Sequence, residues 1–97
     1  MINMLHEKRD ELSKKTKDLK RAIDSLKEEL EAVDWYTQRA DATSNKSLKD
    51  IMLHNANEEK EHAAMLMEWL RQNDEHFAHE MKDYLFAETD DIAGLED

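Results

Sequence analysis

The sequence has 97 residues, no cysteine, no proline, one glycine and a formal net charge of −10. The lack of cysteine excludes disulfides, thiolate metal sites and thiol catalysis, and the negative charge disfavours nucleic acid and anionic membrane surfaces as partners. The absence of proline and the single glycine favour uninterrupted helices, so we expect an all-α protein. Apolar residues make up only 39% of the chain, which is thin for an independent core, so we expect it to oligomerise. The first ten residues lack the apolar core of a secretory signal, so we expect an intracellular protein.

A seven-residue repeat of apolar side chains marks the first predicted helix. The repeat consists of Leu5, Leu12, Leu19, Leu26 and Val33. Such a stripe is typical of helices that pack on other helices. It predicts a first helix over about residues 5–41.

Polar residues then separate two further predicted helices. Residues 43–47 form a polar connection. Within it, Asn45 is the expected N-cap of a second helix over about 46–72. Asn73 and Asp74 offer a break before a short third helix over about 75–87, and the acidic residues 88–97 are expected to form a flexible tail. The pattern predicts one domain, residues 1–97, with an antiparallel two-helix hairpin and a short C-terminal helix. Two hairpins facing each other would form a four-helix bundle.

Ionisable residues interrupt the inward stripes of both long helices. Glu29 lies fifteen residues before Ser44 in the connection and Glu59 fifteen residues after it, so an antiparallel hairpin should bring the two carboxylates together. His62 lies one turn after Glu59, on the same helix face. A Glu from one helix and a Glu-x-x-His pair from the other are half the ligand set of dimetal carboxylate bundles. The spacing leaves an alternative open, because Glu59 and His62 could form an exposed ion pair.

Two longer motifs resemble those of the encapsulated ferritins. They are Glu-Glu-Leu-Glu-Ala-Val-Asp-Trp-Tyr at 28–36 and Glu-Glu-Lys-Glu-His-Ala-Ala at 58–64, followed by Glu-Trp-Leu-Arg at 68–71 and Tyr-Leu-Phe at 84–86. The resemblance covers about residues 20–88. It implies a two-helix half-ferritin that forms di-iron sites across a dimer interface, in a ring of dimers (a decamer) inside an encapsulin shell in the cytoplasm.

The resemblance also implies roles for particular residues. Glu29, Glu59 and His62 would be the iron ligands. Tyr36 would complete or border the site; it lies two turns from Glu29, about 10 Å along the helix axis, so the partner chain more plausibly contributes it. A core aromatic with a hydrogen-bonded hydroxyl is the ordinary alternative for Tyr36.

Two secondary metal sites follow from the same resemblance, and calcium and zinc are candidate ions there besides iron. Glu28, Glu31 and Trp35 share one face and would form an iron-uptake site at the dimer interface. His54, Glu58 and Glu61 would form a peripheral metal site. The alternative for both groups is solvated surface charge.

The sequence thus predicts a ferroxidase that oxidises Fe(II) to Fe(III) with dioxygen and feeds iron storage inside an encapsulin shell. The chain is too small to enclose a mineral by itself. Chains of this family usually end with an encapsulin-targeting segment, and no convincing one follows Tyr84-Leu85-Phe86. We expect either that such a segment was removed or that targeting works by another route. The alternatives are a non-catalytic acidic helical assembly and a divalent-metal-binding protein without redox turnover.

Overall fold

The structure, a computed structural model, describes residues 4–96; residues 1–3 and 97 of the predicted domain lie outside this range. The described chain is all-helical and contains no strand. Its α-helices are α1 (Lys14–Ala42), α2 (Lys46–Asn73) and α3 (Glu75–Tyr84). α1 packs along α2, and α3 packs against α2. Within residues 4–96, no helix combines the length and the apolar character needed to cross a membrane.

Side-chain caps fix where each helix begins. The Ser13 hydroxyl accepts a hydrogen bond from Thr16 N at 3.1 Å, and the Asn45 side chain accepts one from Leu48 N at 2.9 Å. The Asp74 carboxylate does the same for Phe77 N at 2.9 Å. Each cap satisfies a backbone N–H that the helix leaves without an acceptor. The predicted break at 43–47 and the cap at Asn45 therefore match the structure.

Both outer helix boundaries differ from the prediction. α1 begins at Lys14 rather than near residue 5, because Ser13 caps it there and the preceding Arg9–Glu11 segment is a 3-10 turn. α3 ends at Tyr84 rather than at residue 87, because its C-cap Leu85 is extended, with φ −77° and ψ 149°. Phe86 then follows with a φ of 59°, in the left-handed region. The predicted tail contains a 3-10 turn at Ala93–Leu95.

The tail lies close enough to α3 to affect its tyrosine. Partial burial raises the pKa of the Tyr84 hydroxyl, and the negative charges of Glu96, Glu80 and Asp83 raise it further. The acidic end of the chain is therefore near the last turn of α3.

The core between α1 and α2 is built from small side chains. Its buried residues are Ala22, Ala40, Ala56, Ala63 and Leu70. The accessible surface is 7923 Å², against about 5,800 Å² for a compact monomer of this mass. Large apolar side chains remain exposed along both helices: Ile23, Leu30, Trp35, Leu48, Ile51, Leu53, Met65, Met67 and Trp69. A single hairpin thus leaves extensive apolar surface in contact with water.

Candidate metal centre

The hairpin brings Glu29 of α1 beside Glu59 and His62 of α2. His62 Nδ1 lies 3.6 Å from Glu29 Oε2 and 3.5 Å from Glu59 Oε2. Each of the three side chains offers one ligand atom, and these atoms all lie within 4.8 Å of one another. No other group of three or more acidic or histidine side chains in the described range meets this criterion.

Local sequence explains this convergence. Glu59 and His62 are three residues apart, so α2 presents them as neighbours on one face. Ala56 and Ala63 are buried on either side of Glu59, and their small side chains allow α1 to approach closely. Glu29 can therefore reach across the hairpin.

The cluster is partly withdrawn from water. The side chains of Glu29 and Glu59 are 23% and 24% exposed, and that of His62 is 44% exposed. Glu29 Oε2 is fully buried and accepts no hydrogen bond from the described part of the chain; its 3.6 Å separation from His62 Nδ1 is too long for one. An unsatisfied buried carboxylate oxygen is costly, and a cation among the three donors would offset that cost.

The donor geometry fits a metal ion. Metal–ligand bonds to carboxylate oxygen and imidazole nitrogen are about 2.0–2.2 Å long, so two ligand atoms of one ion lie at most about 4.4 Å apart. The separations of 3.5 and 3.6 Å lie within this limit. Oxygen donors with one imidazole suit Fe(II), Mn(II) and Zn(II). Three donors from one hairpin leave further coordination positions open.

The other predicted site residues do not join this cluster within one chain. Tyr36 is half-buried on α1. Glu28, Glu31 and Trp35 are all exposed on α1. Neither Glu28 nor Glu31 belongs to a group of three candidate ligand side chains in residues 4–96, and the uptake site stays a prediction.

The peripheral site also stays a prediction. His54 Nε2 lies 3.8 Å from Glu58 Oε1. Glu61 does not complete a three-membered cluster with them in the structure as described.

One arrangement beside the predicted residues was not found from the sequence. The Arg39 guanidinium lies over the rings of both Trp35 and Tyr36. The signal was available, because arginine three and four residues after two aromatic residues places all three on adjacent helix positions.

A helical hairpin that sets a Glu beside a Glu-x-x-His pair defines the ferritin-like class of helical carboxylate proteins. Comparison with known proteins narrows this class. The chain belongs to the EncFtn-like family, whose model matches residues 4–88, which confirms the resemblance inferred from the sequence motifs.

Individual relatives agree with this assignment. The chain is 52% identical over 86 residues to the encapsulated ferritin-like protein of Rhodospirillum rubrum, a match covering 89% of this chain and 61% of that protein. It is 47% identical over 88 residues to the ferritin-like protein of Thermotoga maritima, covering 91% and 77% of the two chains. The chain thus spans about three-fifths of the length of the Rhodospirillum relative.

A solved protein structure is similar to this chain in both fold and sequence. The crystal structure of a protein from Nitrosomonas europaea has a TM-score of 0.85 and 56% identity to this chain, and the match covers 88% of this chain and 93% of that one.

Proposed function

We propose that the protein is a ferroxidase whose site is completed when two copies pair, and that its substrates are Fe(II) and dioxygen. The observation that carries the proposal is the buried Glu29 Oε2, which lies in a cluster of three candidate metal-ligand atoms and accepts no hydrogen bond from residues 4–96. A passive helical core would avoid such a group. Membership of the EncFtn-like family supports iron as the cation.

The residues of each chain bind and orient the iron. Glu29, Glu59 and His62 supply two carboxylates and one imidazole, a donor set that suits Fe(II) and leaves positions for dioxygen. Two-fold pairing doubles this set around two iron ions. Each of two Fe(II) ions would lose one electron, and one dioxygen would accept both electrons with two protons from solvent and leave as hydrogen peroxide. Carboxylates can change their mode of ligation as the charge on iron rises.

The exposed apolar surface supports the pairing step. Trp69 lies seven residues after His62, which places it on nearly the same face of α2. Its side chain is 37% exposed in the single hairpin, and Leu48 and Ile51 are exposed on α2 as well. A second hairpin docked on this face would bury apolar surface and bring the two metal half-sites together. Tyr36 is then contributed to the site of the partner.

The assembly that we propose is larger than a dimer. The Rhodospirillum relative is named an encapsulated ferritin-like protein, and by analogy we propose that this chain acts within an encapsulin shell in the cytoplasm. The resemblance of its sequence motifs leads us to propose a ring of dimers, a decamer, inside that shell. The shell would hold the mineral that the helical protein is too small to enclose. Glu28, Glu31 and Trp35 would bind arriving iron at the interface, and His54, Glu58 and Glu61 a secondary ion such as calcium or zinc.

A second candidate is a divalent-metal-binding protein without redox turnover, because two carboxylates and an imidazole also suit Zn(II). Aerobic Fe(III) formation separates the two candidates. The ferroxidase proposal predicts that Glu29→Ala abolishes oxidation while the oligomer mass and helicity persist. Wild-type oxidation no faster than in buffer would reject the proposal, and altered assembly in Glu29→Ala would favour a purely structural role for the acidic stripe.

A further inference from the structure

The guanidinium of Arg39 lies over the rings of Trp35 and Tyr36. The Arg39 guanidinium carbon lies 5.5 Å from the centroid of the Tyr36 ring and 5.9 Å from that of the Trp35 ring. Arg39 follows them by three and four residues, so it lies between them on the helix surface. These distances are typical of cation–π contacts. One side chain thus restrains two neighbouring rings.

The guanidinium makes these contacts in place of an ion pair. In the described residues no carboxylate oxygen lies within 4.0 Å of its nitrogens, although the chain has 24 acidic residues. The exposed arginines Arg21 and Arg71 each pair with a carboxylate one turn away. Arg39 therefore differs from Arg21 and Arg71 in contacting aromatic rings rather than a carboxylate.

The Tyr36 hydroxyl is left available by this arrangement. It makes no hydrogen bond to any residue between 4 and 96, and the contact with Arg39 uses the face of the ring. The ring is therefore oriented without its oxygen being engaged. Tyr36 lies about 10 Å along the helix axis from Glu29, so we expect its hydroxyl to serve the cluster of a partner chain rather than its own.

We propose that Arg39 is a positioning residue, which holds the Tyr36 ring so that its hydroxyl reaches the iron site completed by a second copy of the chain. The inference rests on the proposed ferroxidase function. Without the guanidinium, Tyr36 would divide its time among other side-chain orientations. A cation–π contact at a half-exposed position changes such a population by about three-fold.

Tyrosine ring signals test the restraint without iron. The chain has two tyrosines, so ring-¹³C-labelled protein gives separate NMR signals for Tyr36 and Tyr84. Arg39→Ala should shift and broaden the Tyr36 signal and leave Tyr84 unchanged, and Arg39→Lys should restore most of the wild-type position. Arg21→Ala is the matched control, because Arg21 pairs with Asp18 at 2.7 Å instead. A Tyr36 signal that ignores Arg39→Ala would overturn the positioning role alone.

A double-mutant cycle on iron oxidation tests whether the restraint acts through Tyr36. Arg39→Ala should slow Fe(III) formation by about three-fold in the wild type and have no effect in a Tyr36→Phe background. Equal losses in both backgrounds would contradict the inference, since Arg39 would then act independently of the hydroxyl. Absence of oxidation in the wild type would instead reject the ferroxidase proposal, and with it a catalytic use of Tyr36.

Discussion

Glu29 of α1 and His62 of α2 face each other across the hairpin, with 3.6 Å between Oε2 and Nδ1. This separation is too long for a hydrogen bond, and the glutamate oxygen is buried without another partner in the described chain. The metal-free protein therefore keeps a carboxylate where it is poorly compensated. Stability and metal binding should respond in opposite directions when that carboxylate is removed.

Glu29→Gln should raise the stability of the metal-free protein and abolish metal binding. The neutral amide costs less to bury than a carboxylate and can donate a hydrogen bond to Glu59, so we expect a gain of about 1 kcal/mol. Urea unfolding in the presence of a chelator measures it. Glu88→Gln, which removes the same charge from an exposed position, should change neither property. A less stable metal-free Glu29→Gln variant would show that the carboxylate is satisfied in solution.

Divalent metal should raise the melting temperature only when His62 is present. A ligand that binds the folded state at about one hundred times its dissociation constant adds about 2.7 kcal/mol of stability. Calorimetry with Co(II) under anaerobic conditions should therefore show an upward shift in the wild type and none in His62→Ala. His79→Ala is the control, because among residues 4–96 the ion-pair partner of His79 is Asp83 alone, at 3.3 Å. An equal shift in all three proteins would place the metal elsewhere.

Trp69→Glu should weaken pairing and slow iron oxidation together. Trp69 is exposed and lies about 20° around α2 from His62, so a charge there would be buried by the partner. Analytical ultracentrifugation gives the dimer dissociation constant, which we expect to rise by at least about ten-fold. Leu53 lies about 160° around the helix from Trp69. Leu53→Glu should therefore change neither the dimer dissociation constant nor the rate of iron oxidation. Stronger effects from Leu53→Glu would assign the pairing face to the other side of α2.

Acid should remove the stabilising contribution of Glu68. Hydrogen bonds from Arg71 and then Gln72 lower the pKa of Glu68 from 4.5 to about 2 in the folded protein. Because the folded pKa is the lower one, this contribution is complete above pH 4.5 and disappears as the pH falls to about 2. The difference in urea midpoint between wild type and Glu68→Gln should shrink over this window. A difference that stays constant down to pH 2 would contradict the assignment.

Local chemistry made the centre of the molecule predictable from sequence. Asn45 and the polar connection fixed the hairpin turn, and equal spacing from Ser44 then brought Glu29 and Glu59 together. The start of α1 was predicted wrongly, because Leu5 and Leu12 keep the seven-residue spacing although Ser13 begins the helix only after them. α3 ends where Leu85 becomes extended and Phe86 turns left-handed, and no residue pattern indicated this.

The face on which two hairpins pair could not be predicted from the sequence, because pairing depends on contacts between two chains. Exposed apolar residues show that surface is available for burial, but they lie on several faces of the helices. In the dimer that we propose, the face that meets the partner decides where Tyr36 and the proposed uptake residues come together. The mutations at Trp69 and Leu53 address this point.

The central claim is tested most directly by anaerobic titration of the metal-free oligomer with Fe(II), followed by admission of dioxygen and optical detection of Fe(III). The account predicts saturation near one iron per chain, rapid oxidation, and loss of both in His62→Ala. Oxidation no faster than in protein-free buffer, or unchanged loading in His62→Ala, would contradict a ferroxidase site built from Glu29, Glu59 and His62.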